Sequence, residues 1–181
     1  MSVNAIPLRE KASGIRLAVF DVDGVMTDGR LYLSDDGIES KTFHTRDGLG
    51  LKALMGHGII VAVITARRSN VVSRRMAELG IEHLMQGRED KKAAIETLIE
   101  TLEVAPEQVA YTGDDLVDWP AMRLCGLKCA PADAVAWIRE RADFVSQQPG
   151  GRGAVREVCE LILAADDALG AWQDSFHCAG G

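Results

Sequence analysis

Carboxylates, a hydroxyl and an ammonium stand at the ends of strands that this sequence predicts. The first predicted strand, Arg16–Asp21, leads into the segment DVDG at residues 21–24, and a later strand leads into GDDLVD at residues 113–118. Thr65 ends another predicted strand, and Lys91 opens the helix that follows the next one. Because the carboxyl ends of parallel strands meet at one edge of a sheet, these side chains are predicted to share one site.

The five carboxylates of this predicted site are Asp21, Asp23, Asp114, Asp115 and Asp118. Packed together without a cation, they would repel one another. Oxygen ligands favour a hard cation, and Mg²⁺ suits a site that handles phosphate. A carboxylate about 4 Å from a phosphate dianion is repelled by roughly 8 kcal/mol at an effective dielectric constant of about 20. Attack on phosphorus therefore requires a cation and a basic side chain to neutralise the phosphoryl oxygens.

Strands alternate with helices along the chain, which predicts an α/β fold with a doubly wound parallel sheet. The predicted strands are Arg16–Asp21, Ile59–Thr65, Glu82–Met85, Val109–Thr112, Leu127–Ala130 and Phe144–Ser146. The predicted helices are Gly48–Met55, Ser69–Leu79, Asp90–Glu103, Leu116–Leu124, Ala132–Arg141 and Ala154–Leu169. Alternating segments around Asp35-Asp36-Gly37 predict a β-hairpin insert at about residues 29–44, just after the first strand, in place of a large cap.

Length and composition limit the possible functions. The 181 residues predict a single domain, residues 1–181, with a C-terminal helix and tail from about residue 150. With 20 basic and 27 acidic residues the net charge is −7, which argues against general nucleic-acid binding. No apolar run reaches the length of a membrane span, and no signal peptide is evident. The spacing of the cysteines predicts reduced thiols and a cytoplasmic protein; they are Cys125, Cys129, Cys159 and Cys178.

In order and position, DVDGVMTDG, Thr65, Lys91 and GDDLVD resemble the four motifs of the haloacid dehalogenase superfamily of phosphohydrolases. Within it, the chain is similar to the 3-deoxy-D-manno-octulosonate 8-phosphate (KDO 8-phosphate) phosphatases over about residues 16–156. The similar segments are FHTRDG, ITAR, LMQGREDK, AYTGDDLVDWP and GGRGAVREVCELIL. This resemblance implies a Rossmann-like fold of the superfamily and Mg²⁺-dependent hydrolysis of KDO 8-phosphate, a step in lipopolysaccharide sugar biosynthesis.

The resemblance also implies roles for the carboxylates. Asp21 would be the nucleophile that forms an aspartyl phosphate. Asp23 would protonate the leaving sugar oxygen and then activate the water that hydrolyses the intermediate. Mg²⁺ would be held by the Asp21 carboxylate, the Asp23 carbonyl and Asp114, with Asp115 and Asp118 acting mainly through waters.

The substrate-binding residues implied by the resemblance lie in several separate segments of the chain. Thr65 and Lys91 would bind the phosphoryl group, and Arg67 could engage the sugar carboxylate with two parallel hydrogen bonds. The remaining expected contacts come from Asp23, His44, Thr45, Arg46, Asp47, Gly48, Lys52 and Arg75. Two places depart from the family pattern, because His44-Thr45 stands where an Asn-Val pair is common and Lys52 stands where an arginine is common.

A domain without a large cap needs another way to enclose its substrate. The resemblance implies a homotetramer in which hairpins pack around a four-fold axis and neighbouring subunits complete each site. The apolar hairpin residues Leu31, Leu33 and Phe43 fit this expectation, since an isolated two-stranded hairpin is marginally stable in water.

Two alternative functions remain open from the sequence. Within the phosphatases, the substrate could be a nine-carbon keto acid phosphate, such as KDN or sialic acid 9-phosphate. Outside the enzymes, a receiver-like signalling module also forms an aspartyl phosphate beside Mg²⁺, a threonine and a lysine. Steady release of phosphate from a sugar phosphate indicates the enzyme, whereas a single stoichiometric labelling indicates the module.

Overall fold

The buried strands are short runs of β-branched, aromatic and small apolar residues, and they assemble into one six-stranded sheet in which every neighbouring pair is parallel. The computed structural model describes residues 6–177. Its sheet strands are β1 (Leu17–Phe20), β4 (Ile60–Thr65), β5 (His83–Gln86), β6 (Val109–Thr112), β7 (Leu127–Ala130) and β8 (Phe144–Val145). The spatial order is β5-β4-β1-β6-β7-β8, so β1 lies between β4 and β6 near the middle.

Helices cover both faces of the sheet. They are α1 (Leu8–Ala12), α2 (Thr45–Gly56), α3 (Asn70–Leu79), α4 (Lys91–Leu102), α5 (Trp119–Met122), α6 (Ala136–Arg139), α7 (Ala154–Ala165) and α8 (Leu169–Asp174). Side chains alternate across β1, so Phe20 packs with residues of α2, α3 and α7, whereas Val19 packs with residues of α4, α5 and α6. Two cores with the sheet between them confirm the predicted doubly wound α/β fold.

The predicted hairpin follows the first strand. Its strands β2 (Tyr32–Leu33) and β3 (Glu39–Ser40) pair antiparallel, with Leu33 opposite Glu39. The turn contains Gly37 at a φ of +79°, a left-handed conformation that glycine adopts without strain. Most of the hairpin is exposed and adds no core of its own.

Helix lengths differ from prediction on the C-terminal side. The helix predicted over Leu116–Leu124 is the four residues of α5, because residues 113–118 form a loop held by the Asp118 side chain. The helix predicted over Ala154–Leu169 ends at Ala165, since Asp167 adopts a left-handed φ of +58° before α8 begins. The helix α1 was not predicted.

The cysteines of the described region are unpaired. Cys125, Cys129 and Cys159 are buried free thiols, and burial raises the pKa of Cys125 to about 12, so this thiol stays protonated at neutral pH. Cys178 lies outside the described residues. Among residues 6–177, none of the helices has both the length and the apolar character needed to cross a bilayer.

Candidate active site

Strands β1 and β6 bring the carboxylates together. Asp21 follows β1, and its backbone N–H donates to the carbonyl of Thr112, the last residue of β6, at 3.0 Å. The loop after β6 carries Asp114 and Asp118. On the other side of β1, Phe20 lies level with Val63 of β4, which places Thr65 at the same edge of the sheet. The carboxyl ends of the central strands therefore form the site.

Lys91 joins two of these carboxylates. It is the first residue of α4, whose N-terminus is capped by the Asp90 side chain, which accepts from the N–H of Ala93. Its ammonium Nζ lies 2.9 Å from Asp21 Oδ2 and 2.6 Å from Asp118 Oδ1. The side chains of all three residues are almost fully buried. Two buried carboxylates therefore share one ammonium, which leaves a net negative charge among the three side chains.

Asp118 organises the loop after β6. Besides Lys91, its Oδ1 accepts a hydrogen bond from the Tyr111 hydroxyl at 3.2 Å. Its Oδ2 accepts from the backbone N–H groups of Asp114 at 3.1 Å and Asp115 at 3.3 Å. Both oxygens are thus engaged by the protein, and the carboxylate fixes the loop that presents Asp114. The Asp115 side chain itself is turned to the N–H of Leu116 at 2.7 Å.

The carboxylates are short of positive charge. Burial, with the nearby charge of Asp118, raises the pKa of Asp21 to about 7. Burial, followed by the charges of Asp118 and Asp21, raises the pKa of Asp114 to about 8. Lys91 opposes both shifts without cancelling them. A further cation beside these carboxylates would offset the repulsion between them and lower both pKa values.

The residues fit a divalent metal ion. Asp21, Asp114 and Asp118 offer carboxylate oxygens that lie within 4.8 Å of one another. Asp21 Oδ1 is buried and has no hydrogen-bond partner among the described residues, which leaves it free to bind a metal. At Gly24, whose φ is +92°, a Cβ atom would lie 2.1 Å from Asp114 Oδ2, so the glycine makes room for this carboxylate. An all-oxygen site of this kind suits Mg²⁺.

These pKa shifts predict how pH affects the stability of the metal-free protein. An unfolded aspartate has a pKa of about 3.9, whereas Asp21 and Asp114 have pKa values of about 7 and about 8 in the folded protein. Between the unfolded and folded pKa values, the folded state binds more protons than the unfolded state. The stability that these groups contribute is therefore largest at acid pH and is lost as the pH rises through about 8. We expect a lower thermal midpoint at about pH 8.5 than at about pH 6, and a larger Mg²⁺-induced increase at about pH 8.5.

Differential scanning fluorimetry with and without Mg²⁺ measures this effect. The variant Asp114→Asn is the comparison, because it removes one of the two raised carboxyl groups and should flatten the dependence on pH. A metal-free midpoint that stays constant over this range would contradict the expectation.

The hairpin contributes charged side chains next to the Asp23 carboxylate. The Lys41 ammonium pairs with Asp23 Oδ1 and lies 3.5 Å from Glu39 Oε1. Arg67, just after β4, lies 3.0 Å from Glu39 Oε1 through Nη2 and 3.9 Å from Asp23 Oδ2 through Nε. Lys41 and Glu39 were not among the predicted site residues. Their spacing of two residues in a strand pattern puts both side chains on one face, but it does not indicate that they reach Asp23.

The start of α2 holds several of the predicted sugar contacts. His44 caps the helix through Nδ1, which accepts from the N–H of Arg46 at 3.1 Å, and Thr45 is the first helical residue. Asp47 is buried and accepts from the N–H of Arg156 at 2.9 Å, so it ties α2 to α7. Burial raises the pKa of Asp47, although the Arg156 hydrogen bond opposes the shift. Among residues 6–177, no hydrogen bond or ion pair links residues 44–47 to Asp21 or Lys91.

Other predicted contacts lie on further faces of α2 and α3. Gly48 packs against Arg75, since a Cβ atom at this position would lie 2.5 Å from Arg75 Nη2. Arg75 pairs with Glu78 at 3.3 Å. Lys52 is exposed on α2 and lines a groove between this helix and the α7–α8 segment, which includes Trp172. Among residues 6–177, no hydrogen bond or ion pair links Lys52 or Arg75 to Asp21, Asp114 or Asp118.

Comparisons with known proteins identify relatives of this chain. A family model described as haloacid dehalogenase-like hydrolase matches residues 78–157. The KDO 8-phosphate phosphatase of Yersinia pestis is 51% identical over 160 residues, which cover 88% of this chain and 86% of that protein. The enzyme of Escherichia coli K12 is 50% identical over 159 residues, which cover 88% and 85%.

A solved structure extends the similarity to the fold. The KDO 8-phosphate phosphatase of Moraxella catarrhalis, solved in complex with magnesium ion, phosphate ion and KDO, superposes with a TM-score of 0.91 at 43% identity and covers 93% of this chain and 97% of that one. Because full-length relatives share about half of its residues, the chain belongs to the 3-deoxy-D-manno-octulosonate 8-phosphate phosphatase family of haloacid dehalogenase-like hydrolases.

Proposed function

We propose that this chain is a Mg²⁺-dependent phosphomonoesterase that hydrolyses KDO 8-phosphate to KDO and phosphate through an aspartyl-phosphate intermediate. The observation that carries the proposal is the buried Lys91 ammonium between Asp21 and Asp118, beside Asp114 at the edge of the sheet. This arrangement combines a carboxylate nucleophile, a cation for the phosphate and oxygen ligands for a metal. The family's KDO 8-phosphate phosphatases support the substrate.

Asp21 attacks phosphorus in the first step. A bond forms between an Asp21 carboxylate oxygen and phosphorus while the bond from phosphorus to the sugar oxygen breaks. Lys91, held by Asp118, and the Thr65 hydroxyl at the end of β4 bind the phosphoryl oxygens. Their burial strengthens these contacts, because water does not screen them.

Asp23 moves the protons. It donates a proton to the departing sugar oxygen and takes one back from the water that later attacks the aspartyl phosphate. The carboxyl group stands two residues after the nucleophile and 21% of its side chain is exposed, so it borders the space that the substrate enters.

Asp21, the Asp23 carbonyl and Asp114 would hold Mg²⁺, and Asp115 and Asp118 support the loop around it. When bound, the ion neutralises phosphoryl oxygens and so permits attack by a carboxylate. Asp118 contributes by fixing the backbone of Asp114 and Asp115.

Arg67 recognises the carboxylate of the sugar acid. Its guanidinium reaches Asp23 and Glu39 and leaves 45% of the side chain exposed, so it faces the substrate space. A planar guanidinium can make two parallel hydrogen bonds to a carboxylate, which an ammonium cannot reproduce. The remaining contacts, from His44, Thr45, Arg46, Asp47, Gly48, Lys52 and Arg75, belong to the same proposal.

A panel of phosphate esters with Mg²⁺ tests the proposal. We expect the highest kcat/KM for KDO 8-phosphate, a lower value for the nine-carbon keto acid 9-phosphate and the lowest for hexose 6-phosphate, which has no carboxylate. The variant Arg67→Met should lower kcat/KM for KDO 8-phosphate by about 10²-fold and change hexose 6-phosphate hydrolysis by less than about threefold. Hexose 6-phosphate as the best substrate by a wide margin would overturn the substrate assignment, and a single turnover would indicate a receiver-like module.

We also infer that the protein acts as one domain in a cytoplasmic homotetramer whose hairpins pack together and whose sites are completed by neighbouring subunits. Leu33 and Ile38 of the hairpin are 64% and 62% exposed, which is unfavourable for an isolated ribbon. Phe43, in contrast, packs against the core. The buried free thiols suit a reducing compartment.

A further inference from the structure

Four charged side chains form a closed ring beside the carboxylate cluster. Lys41 pairs with Asp23 Oδ1 and with Glu39, Glu39 pairs with Arg67, and Arg67 returns to Asp23 Oδ2. Positive and negative charges alternate around the ring. It joins three segments: the loop after β1, the hairpin and the loop after β4.

Lys41 is the most enclosed member of this ring. Its side chain is 1% exposed, compared with 21% for Asp23, 17% for Glu39 and 45% for Arg67. A buried ammonium with two carboxylate partners has little freedom to move, whereas the exposed guanidinium can turn toward a substrate. Lys41 is therefore the fixed cation of the ring, and Arg67 is the adaptable one.

We propose that Lys41 is a positioning residue for the proposed phosphatase reaction, because it holds Asp23 Oδ1 and so presents Oδ2 to the leaving sugar oxygen. The inference rests on the proposed role of Asp23. Once Arg67 turns away from Oδ2, Asp23 takes up a proton there from solvent. This proton passes to the sugar oxygen as the phosphorus–oxygen bond breaks, while Oδ1 continues to accept from Lys41. Arg67 is near Oδ2 in the free protein and can leave it to bind the sugar carboxylate.

Loss of Lys41 would leave Arg67 as the one cation of the ring. The Asp23 carboxyl group would then turn toward the guanidinium and lose its orientation toward the sugar oxygen. The hairpin would then have a second role besides subunit packing, because it contains Lys41, the cation that orients the Asp23 carboxyl group.

Substrates with different leaving groups distinguish this positioning role from a general loss of structure in a Lys41 variant. A sugar alkoxide must be protonated as it departs, but 4-nitrophenolate leaves without a proton. Because kcat/KM covers only the steps through departure of the leaving group, the later water step does not affect it. We expect Lys41→Met to lower kcat/KM for KDO 8-phosphate by about 10²-fold and for 4-nitrophenyl phosphate by less than about threefold.

Three comparisons complete the experiment. Asp23→Asn should show the same selective loss, and adding Lys41→Met to it should cause no further loss, because Lys41 acts through Asp23. Lys41→Arg, which keeps a cationic donor, should restore part of the activity. Arg30→Met removes a positive charge from the same hairpin without removing a contact to Asp23, and it should leave kcat/KM for both esters unchanged.

The outcomes separate this inference from the proposed function. Three results would overturn the role of Lys41 while the phosphatase proposal stands. Lys41→Met could lower kcat/KM equally for both esters, it could leave both values unchanged, or it could lower kcat/KM further in the Asp23→Asn variant. An Asp23→Asn variant without leaving-group selectivity would overturn the role of Asp23, and the Lys41 inference with it. If Lys41→Met does not fold, Lys41→Gln supplies the same comparison and is judged by the same criteria.

Discussion

Replacing Asp21 with asparagine is expected to lower kcat/KM for KDO 8-phosphate by at least about 10⁴-fold, while the protein stays folded. The amide is a much weaker nucleophile than the carboxylate, and no other described carboxylate is paired with Lys91 and free to attack, because both oxygens of Asp118 are engaged. Phosphate release with Mg²⁺ measures the rate, and acid quenching tests for phosphate covalently bound to the protein.

The same substitution should not destabilise the metal-free protein. The pKa of Asp21 is raised to about 7 by burial and by Asp118, so near pH 8 its charge opposes folding. Asparagine removes that charge, and we expect an unchanged or higher thermal midpoint near pH 8 without metal. Asp35→Asn, which removes one negative charge from the exposed hairpin turn, should keep the wild-type rate and controls for net charge. If the Asp21→Asn protein released phosphate at the wild-type rate, Asp21 would not be the nucleophile.

The sheet and its active edge could be predicted because their signals are local. A buried parallel strand is a short run of β-branched and aromatic residues, and the residue type at its end is read directly from the sequence. Val109–Thr112 and Leu127–Ala130 were predicted with the bounds that the structure has. Once the strand order is that of a doubly wound sheet, the residues after β1 and β6 must be neighbours.

The charged ring could not be predicted, because it depends on how the hairpin leans against the loop after β1. Lysine has a long, flexible side chain, and no spacing in the sequence says that Lys41 reaches Asp23. The length of α5 has a similar cause, since hydrogen bonds from the Asp114 and Asp115 backbone to Asp118 replace the first turn of the predicted helix. Side chains on the far face of α2, such as Lys52, depend in turn on how this helix packs against α7.

Lys91→Met is expected to impair both the fold and the reaction. Burial lowers the pKa of Lys91, but the charges and hydrogen bonds of Asp118 and Asp21 outweigh it and hold the pKa above its usual value, so the ammonium stays charged. Methionine has a similar size and no charge, and leaves two buried carboxylates without their cation. Breaking a buried ion pair in this way costs about 3–5 kcal/mol of unfolding free energy. Loss of a phosphoryl contact should lower kcat/KM by at least about 10²-fold.

Urea unfolding and phosphate release measure the two effects, and Lys92→Met provides the matched control. Lys92 is the next residue of α4, and its exposed ammonium pairs with Glu96 at 3.5 Å, a contact worth less than about 1 kcal/mol. This control should unfold and react like the wild type. A Lys91→Met protein with the wild-type rate would show that the ammonium does not bind the phosphoryl group.

A second substitution separates the two effects of Lys91→Met. Adding Asp118→Asn removes the orphaned charge of a fully buried side chain, and the amide oxygen can still accept from the N–H groups of Asp114 and Asp115. The double variant should therefore recover part of the unfolding free energy but none of the activity. Activity needs the ammonium at the phosphoryl group, whereas stability needs only that no buried carboxylate lacks a partner. A double variant as unstable as Lys91→Met would show that the unpaired Asp118 charge is not the cause of the instability.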